Sequence, residues 1–495
     1  MSAIRVVGLG PASLDWVSPR ATGILLDPGA TVVVRTLEHP AAEELAAQRH
    51  VVTCDDLYES ADTFDGVYAA IVARLVDLAA SGPVVYAVPG SPIVGERVVG
   101  LLRQAGVAVD LVAAPSFIEA ALGAVGVDPL ERGLQVLDAH ELPYPLLLGI
   151  PTLFGQLDSA MAIDAVRDGL LTVLDAEAEV TLVSDAGAAS EATLRLPLGE
   201  LRASHAGLRV SLFVDVPAPG WPGLVRTSAR LRRDCPWDRE QTHHSLTKHL
   251  LEEAHEVLES IERLPPEAPL GAPDVAGYVE LEEELGDLLI QVVLHATLAS
   301  EAGMFGIEEV AEGIRRKLVS RHPHVFGTVD ATTPEQVMAN WEAIKQDEKG
   351  RRSRLDGIPI GLPALARAFE TQARAASVGF DWPSVEGPLD KVAEEVAELA
   401  GAEESGRSDE FGDLLFSMVN VARHLGIDPE QALRRTVARF ESRFRAIEAG
   451  GNIQGLTLAE MDQRWEAAKR DEEQRSHQSP VASPQQQPKK PTTPK

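Results

Sequence analysis

The sequence is poor in cysteine and has no long apolar run. Only Cys54 and Cys235 occur, in different regions, which argues against a disulfide framework and against a paired-thiol metal site. No apolar stretch approaches the ~18–20 residues of a membrane span. The N-terminus runs directly into the strand-like segment Ile4–Gly8, without the basic and apolar regions of a signal peptide. We therefore expect a soluble, cytoplasmic protein.

Basic residues are also scarce relative to acidic ones. The chain of 495 residues has 45 lysine and arginine residues against 75 aspartate and glutamate residues, a net charge of −30. A surface this negative repels phosphate backbones and anionic lipid, so polymeric nucleic acid and membrane surfaces are excluded as favoured partners. A small anionic ligand that carries a divalent cation is still compatible with this charge. The length indicates two to four domains.

Residues 1–225 alternate short β-branched runs with helical stretches, a pattern typical of an α/β domain. A break at residues 114–116 predicts two lobes, and the proline- and glycine-rich stretch 217–223 is interpreted as a linker. The predicted strands are Ile4–Gly8, Thr31–Arg35, Val84–Val88, Val109–Val112, Leu146–Ile150, Val180–Val183 and Val210–Val214.

The pattern after residue 225 is helical, and it is repeated. Three motifs recur in the same order at nearly constant offset: Glu252–Val257 as Glu394–Leu399, Glu284–Leu289 as Glu410–Leu415, and Trp341–Lys345 as Trp465–Lys469. This predicts a duplicated helical domain, with copy one at about 226–350 and copy two at about 360–475. Residues 476–495 are rich in Gln, Pro and Ser and predict a disordered tail.

Each copy carries two pairs of carboxylates at helical spacing. In copy one, Glu253 and Glu256 lie three residues apart on one predicted helix, and the next helix repeats this spacing with Glu284 and Asp287. If the two helices pack antiparallel, the four groups converge, and they repel one another unless hard cations such as Mg²⁺ lie among them. A single acidic pair is more often an exposed helix face, but the recurrence favours a metal site. The equivalents in copy two are Glu395, Glu398, Glu410 and Asp413.

Cationic residues and a tryptophan follow at helical spacing in both copies. Such a set suits a polyphosphate ester with a base, because the cations hold phosphate oxygens and the indole stacks on the base. The alternative is core packing for the tryptophans and solvated helix faces for the cations. The residues are Lys317, Arg321, Trp341 and Lys345 in copy one, and Arg439, Arg443, Trp465 and Lys469 in copy two.

At these residues the chain resembles the MazG-type nucleoside triphosphate pyrophosphohydrolases. The matching segments are Cys235–Asp238, Glu252–Glu256, Glu284–Asp287 and Arg321–Gly327, with Val378–Trp382 in copy two. The resemblance implies an all-α bundle, usually a dimer, that hydrolyses an NTP to NMP and pyrophosphate. It also implies a role for each group: Mg²⁺ ligands at Glu253, Glu256, Glu284 and Asp287, and nucleotide contacts at Lys317, Arg321, Trp341 and Lys345.

Two points about this resemblance stay open. Glu252 is one candidate for the general base. Copy one fits the family pattern more closely than copy two, which has a shorter loop between its carboxylate motifs and has Arg439 where the family tends to show lysine. We therefore expect copy one to hydrolyse, while copy two is active, weaker or structural.

The loops Gly8–Ser13, Tyr86–Pro92 and Pro115–Ala121 resemble those of the tetrapyrrole methylases, which bind S-adenosylmethionine between two α/β lobes. Ala12–Ser13 and Ser91 replace the residues usual in that family, so a regulatory or scaffolding role stays open beside methyl transfer. The order of domains is similar to that of the YabN-type bifunctional proteins. The resemblance implies cofactor contacts at Gly10, Pro11, Gly90, Ser91 and Pro92.

The sequence as a whole predicts a multidomain chain, with an N-terminal α/β two-lobed methylase-like domain followed by two all-α MazG-like helical bundles. The expected function is Mg²⁺-dependent hydrolysis of an NTP or dNTP, including removal of non-standard nucleotides, by a homodimer formed through the helical domains. Two alternatives stay open. One is a methyltransferase as the principal activity, and the other is a regulatory protein that senses nucleotide without turnover.

Overall fold

The computed structural model describes residues 3–61, 63–265, 268–334, 336–337, 340–341, 344, 353–451, 453 and 455–478. The chain divides into two compact units, Met1–Gly313 and Ile314–Lys495, and the division falls within the helix Ile307–Arg321. The predicted domain boundaries at 225, 350 and 360 stay predictions. No helix in the described ranges has both the length and the apolar character needed to cross a membrane.

Two five-stranded sheets form the two lobes of the α/β part. The first sheet is wholly parallel, in the order β3-β2-β4-β1-β5, and its strands are β1 (Ile4–Gly8), β2 (Thr31–Val34), β3 (Val52–Thr53), β4 (Val84–Val88) and β5 (Val109–Val112). The second sheet is mixed, in the order β6-β7-β10-β8-β9, and its strands are β6 (Gln135–Asp138), β7 (Thr152–Gly155), β8 (Glu179–Ser184), β9 (Ala192–Pro197) and β10 (Val210–Val214).

Helices cover both faces of the first sheet, which explains why β1 and β4 are apolar at nearly every position. Val6 and Tyr86 pack on one face with Ile71, whereas Val7 and Ala87 pack on the opposite face. The second sheet is covered in the same way, with Phe154 in one cluster and Phe213 in the other. The helices of this part are α1 (Pro19–Leu25), α2 (Pro40–Gln48), α3 (Asp55–Ser60), α4 (Phe64–Ser81), α5 (Arg97–Gln104), α6 (Phe117–Val125), α7 (Pro129–Arg132) and α8 (Ala160–Leu171).

The predicted strand at Leu146–Ile150 is wrong, because the strand in this region is β7, Thr152–Gly155. Leu148 is buried, but Leu147 and Ile150 are exposed, so the apolar run does not form a ladder. Pro151 precedes β7 and cannot donate a hydrogen bond, although its carbonyl oxygen accepts one from the Gln135 amide at 2.9 Å. Three strands, β3, β6 and β9, were not predicted, because they are short or largely exposed.

The interpretation of 217–223 as a linker is partly wrong, because a helix begins at Gly220. Pro222 occupies the third position of this helix, where a backbone N–H has no intrahelical partner, so the proline does not break the first turn. The helix is held to the second lobe, since Nη2 of Arg226 donates to the Gly149 carbonyl oxygen at 2.8 Å. The prolines therefore mark where the helical region starts.

The remainder of the described chain is helical, as predicted. In the first compact unit α11 packs against α12, and in the second α16 packs against α17. The helices are α9 (Gly220–Asp234), α10 (Pro236–Glu240), α11 (Thr247–Arg263), α12 (Val275–Glu301), α13 (Ile307–Arg321), α14 (Pro323–Phe326), α15 (Ala364–Ala376), α16 (Glu386–Gly401), α17 (Arg407–His424), α18 (Pro429–Ala449) and α19 (Leu458–Gln478). Helix α19 enters the predicted tail, and residues 479–495 lie outside the described residues.

Candidate metal centres, nucleotide site and interlobe cleft

The carboxylates of copy one come together on the helix pair α11–α12. Glu253, Glu284 and Asp287 each offer one carboxylate oxygen, and these oxygens lie within 4.8 Å of one another. Glu253 and Glu284 are half-buried, and Asp287 is exposed. The spacing of three residues on α12 places Glu284 and Asp287 on one face of that helix. This face packs against α11 and meets Glu253 there.

Glu256, the fourth predicted ligand, interacts electrostatically with this group of three. Partial burial raises the pKa of Glu253, and the charges of Asp287 and Glu256 raise it further. Burial also raises the pKa of Glu284, with further contributions from Glu256 and Asp287. The four side chains therefore form one mutually repelling acidic group, and its hard oxygen donors are of the kind that Mg²⁺ prefers.

Copy two repeats the arrangement on α16–α17. Carboxylate oxygens of Glu395, Glu410 and Asp413 lie within 4.8 Å of one another. Glu395 is only 3% exposed, and within the described part of the chain its Oε2 atom has no hydrogen-bond partner. Burial raises the pKa of Glu398, and the charge of Glu395 raises it further. An orphaned carboxylate oxygen beside two other carboxylates fits a cation site.

Glu252, the candidate general base, lies outside the group of three converging carboxylates. Its Oε2 atom is 3.4 Å from Nδ1 of His249, and its side chain is largely exposed. Its role as a base stays a prediction.

The predicted nucleotide residues of copy one that the structure describes belong to the second compact unit. Lys317 and Arg321 are four residues apart on α13, the first exposed and the second half-buried. The Trp341 side chain is 39% exposed. Lys345 lies outside the described residues. Contact of these residues with a nucleotide stays a prediction.

In copy two the structure brings Arg443 and Trp465 into contact. The guanidinium carbon of Arg443 lies 5.6 Å from the centre of the Trp465 ring, which is a cation–π geometry. The Phe440 ring lies 5.1 Å from the same indole. Arg439 donates a hydrogen bond to Oγ1 of Thr436 at 3.0 Å, and Lys469 is half-buried one turn after Trp465. An aromatic and cationic surface is thus formed by α18 and α19.

The loops predicted to hold a cofactor meet in the cleft between the two lobes. A cavity of about 170 Å³ is lined there by Pro11, Gly90 and Ser91 from the first lobe and by residues of the second. Gly10 and Gly90 exchange backbone hydrogen bonds of 3.1 and 2.8 Å, and both have a positive φ, +70° and +62°, which glycine adopts without strain. Pro92 is buried, and neither Gly10 nor Pro92 lines the cavity. The predicted loops therefore share one cavity.

Two cleft residues, His39 and Arg209, were missed by sequence reasoning. His39 is 4% exposed, and burial together with the Arg209 charge lowers its pKa to about 4. Arg209 pairs with Asp185 at 2.7 Å. In the described ranges, His39 Nδ1 and Arg209 Nη1 lack hydrogen-bond partners. Neither residue belongs to a motif, and they come from loops of different lobes, so no signal in the sequence linked them.

Comparison with known proteins agrees with this architecture. A family model described as tetrapyrrole (corrin/porphyrin) methylases matches residues 3–202, and one described as the MazG nucleotide pyrophosphohydrolase domain matches residues 241–326. The chain is 37% identical over 498 residues to the YabN protein of Bacillus subtilis (strain 168), covering 95% of this chain and 99% of that protein.

Several relatives that match about half of the chain are enzymes by name. The nucleoside triphosphate pyrophosphohydrolase of Escherichia coli (strain K12) is 41% identical over 266 residues, which is 50% of this chain and 97% of that protein. Among solved structures, uroporphyrin-III-C-methyltransferase from Thermus thermophilus is similar, with 23% identity and a TM-score of 0.34, over 45% of this chain and 97% of that one.

The matches and the fold define a class of protein in which an α/β methylase-like domain precedes helical domains with paired carboxylates. The chain belongs to the MazG-type nucleoside triphosphate pyrophosphohydrolases, an enzyme family, in the form that carries an N-terminal tetrapyrrole methylase domain. The predicted fold class and the predicted family resemblance are both confirmed.

Proposed function

We propose that the chain hydrolyses nucleoside triphosphates to nucleoside monophosphate and pyrophosphate, with Mg²⁺ held by the carboxylates of its helical copies. The observation that carries this proposal is the convergence of three carboxylate oxygens within 4.8 Å, from two packed helices, in both copies. The recurrence of this convergence on the corresponding helix pair favours a cation site over separate acidic residues on solvated faces. Membership of the pyrophosphohydrolase family supports the reaction type.

Glu253, Glu256, Glu284 and Asp287 would hold the cation in copy one. Mg²⁺ bound there supplies charge neutralisation for the triphosphate and a more acidic coordinated water. The reaction forms one bond between the water oxygen and a phosphorus and breaks the α–β phosphoanhydride bond, so the products are NMP and pyrophosphate. In copy two, Arg439 and Arg443 lie in the same compact unit as the carboxylates and would hold phosphate oxygens. Phosphate contacts of Lys317 and Arg321 in copy one stay a prediction.

The direct test is pyrophosphate release from a panel of NTPs, dNTPs and non-standard nucleotides, with Mg²⁺ or with EDTA. Glu256→Ala and Glu398→Ala remove one acidic residue from each copy, and we expect a roughly 100-fold loss of the turnover that each copy contributes. Glu262→Gln, at an exposed position of α11, is the matched control and should leave turnover unchanged. Unchanged turnover in both alanine variants contradicts the assignment.

The same panel addresses the biological role. We propose that the enzyme removes non-standard nucleotides, and this requires a higher kcat/KM for those substrates than for the four common NTPs. Equal kcat/KM across the panel contradicts a house-cleaning role but leaves the hydrolase proposal standing.

Homodimer formation through the helical domains is part of the proposal. Large apolar side chains on α11 and α12 are exposed in the isolated chain, including Leu251, Ile261 and Leu285 at 55, 48 and 48%. Exposed apolar surface of this kind commonly marks a protein interface. Light scattering at micromolar concentration should give the mass of a dimer, and Leu251→Glu with Leu285→Glu should give a monomer.

A second candidate function is the binding of S-adenosylmethionine in the interlobe cleft. The favouring observation is that His39 and Arg209 each present a nitrogen without a partner among the described residues, and both residues line the cavity. Neutral imidazole accepts a hydrogen bond and guanidinium donates one, so the pair suits a ligand with both an amino and a carboxylate group. Calorimetric titration of the full chain with S-adenosylmethionine tests this, and absence of heat favours a scaffold role.

A further inference from the structure

Lys391 distinguishes the carboxylate group of copy two from that of copy one. Its Nζ atom lies 2.6 Å from Oε1 of Glu395 and 2.9 Å from Oε1 of Glu394. The equivalent position of copy one, four residues before Glu253, is His249. His249 is directed to Glu252, and no ion pair of Glu253 with a cationic side chain occurs within the described part of the chain.

The two carboxylates also differ in how deeply they are buried. Glu395 is 3% exposed, whereas Glu253 is only half-buried. A buried carboxylate is strongly destabilised unless a charge of opposite sign lies close to it. Lys391 supplies that charge at one oxygen of Glu395, and the hydrogen bonds with Glu395 and Glu394 raise the pKa of Lys391 in return. The other oxygen, Oε2, has no partner in the residues that the structure describes.

We infer that Lys391 is an internal counter-ion that competes with the divalent cation for Glu395, so that copy two binds the cation more weakly than copy one. The inference rests on the proposed function, because it takes both carboxylate groups to be cation sites. A divalent cation entering copy two must displace the ammonium group from Glu395 or share the carboxylate with it. Two cations at one carboxylate repel each other. In copy one, no such ion pair forms at Glu253 among the described residues, although the charge of Arg263 acts on Glu284.

The test measures Mn²⁺ binding to the full chain, using the paramagnetic resonance signal of unbound Mn²⁺. Glu395→Gln, Glu410→Gln and Asp413→Asn together leave only the copy-one site, and Glu253→Gln, Glu284→Gln and Asp287→Asn together leave only the copy-two site. We expect the copy-one site to bind Mn²⁺ roughly tenfold more tightly than the copy-two site. Adding Lys391→Met should strengthen binding at the copy-two site by roughly tenfold.

The matched controls use the same position in both copies. His249→Met should change binding at the copy-one site by less than about twofold, since His249 is paired with Glu252 and forms no ion pair with Glu253 among the described residues. Lys391→Arg keeps the positive charge and should keep the weak binding of copy two. The reciprocal change His249→Lys should weaken the copy-one site by roughly tenfold, and it tests the inference even if Lys391→Met fails to fold.

The possible outcomes distinguish a failure of this inference from a failure of the proposed function. If neither site binds Mn²⁺, the proposed metal sites are wrong, and the inference is wrong with them. If both sites bind, but Lys391→Met and His249→Lys leave their affinities unchanged, only the competition is wrong. Weaker binding after Lys391→Met would also overturn it, because Lys391 would then assist the cation.

Discussion

Without metal, Glu253→Gln should stabilise the helix pair α11–α12. The same substitution should remove the stabilisation that Mg²⁺ gives to this helix pair. The carboxylate oxygens of Glu253 and its two partners lie within 4.8 Å. For one pair of unit charges at that distance, Coulomb's law with an effective dielectric constant of about 20 gives ~3.5 kcal/mol of repulsion. Solvent screening of partly exposed groups reduces this several-fold, so we expect a gain of ~1 kcal/mol in the free energy of unfolding in EDTA.

The pH dependence of this gain has a defined sign. The pKa of Glu253 is raised in the folded protein, so its charge destabilises the fold above that pKa and has no effect below its ordinary value of 4.5. The advantage of Glu253→Gln in EDTA should therefore be full at neutral pH and should disappear as the pH falls below about 4.5. In Mg²⁺ the wild-type protein should be the more stable of the two, because the cation binds its native state more tightly than that of Glu253→Gln.

Hydrogen exchange of the α11 and α12 amides is the appropriate assay, because a chain of two compact units need not unfold in a single step. Glu262→Gln is the control on the same helix and should show neither the gain nor the reversal. A Glu253→Gln protein that exchanges faster than wild type in EDTA at neutral pH would refute the reasoning, since the carboxylates would then be stabilising without a cation.

Three further outcomes are expected. Asp381→Asn should lower the stability of α17 by ~1–2 kcal/mol, because Asp381 accepts charge-assisted hydrogen bonds from Arg423, and these lower the pKa of Asp381. Hydrogen exchange of the α17 amides should show this loss in full at neutral pH and a smaller loss below about pH 4. Trp465→Ala, with copy one silenced, should weaken binding of a non-hydrolysable NTP by roughly tenfold in calorimetry, and Trp465→Phe by less. Gly8→Ala should abolish the heat of S-adenosylmethionine binding in calorimetry, since the added Cβ would lie 2.5 Å from the Gly90 carbonyl oxygen. Gly123→Ala is the control and should leave that heat unchanged, because its added Cβ meets no atom within 4 Å. Equal heats of binding in both variants would exclude the cleft as the site.

The acidic groups could be predicted from sequence because helical geometry fixes them locally. Once Glu284 and Asp287 are placed on a helix, their spacing puts them on one face, and the preceding helix needs only one contact to add Glu253. His39 and Arg209 could not be predicted in this way. They lie in loops of different lobes, and only the packing of the two sheets brings them to one cavity.

Other features that the sequence pattern does not indicate have local causes. Strand β9 carries a single buried side chain, Leu196, so its sequence lacks the alternation that marks a half-buried strand. The ion pair of Lys391 with Glu395 has ordinary helical spacing and was readable in principle. Its effect depends on the burial of Glu395, which the spacing alone does not indicate.

The helix pairs, and not the acidic residues, supply the free energy that holds each carboxylate group together. Val257, Val293 and Leu294 are buried in α11 and α12, so apolar packing opposes the repulsion among the carboxylates. Burial and repulsion raise the pKa of Glu253, and the same repulsion is what a bound cation would relieve. In copy one, the cation affinity that we propose and the low stability that we expect without metal therefore have one physical origin. Copy two relieves part of its repulsion with Lys391, and for that reason a cation has less to gain there.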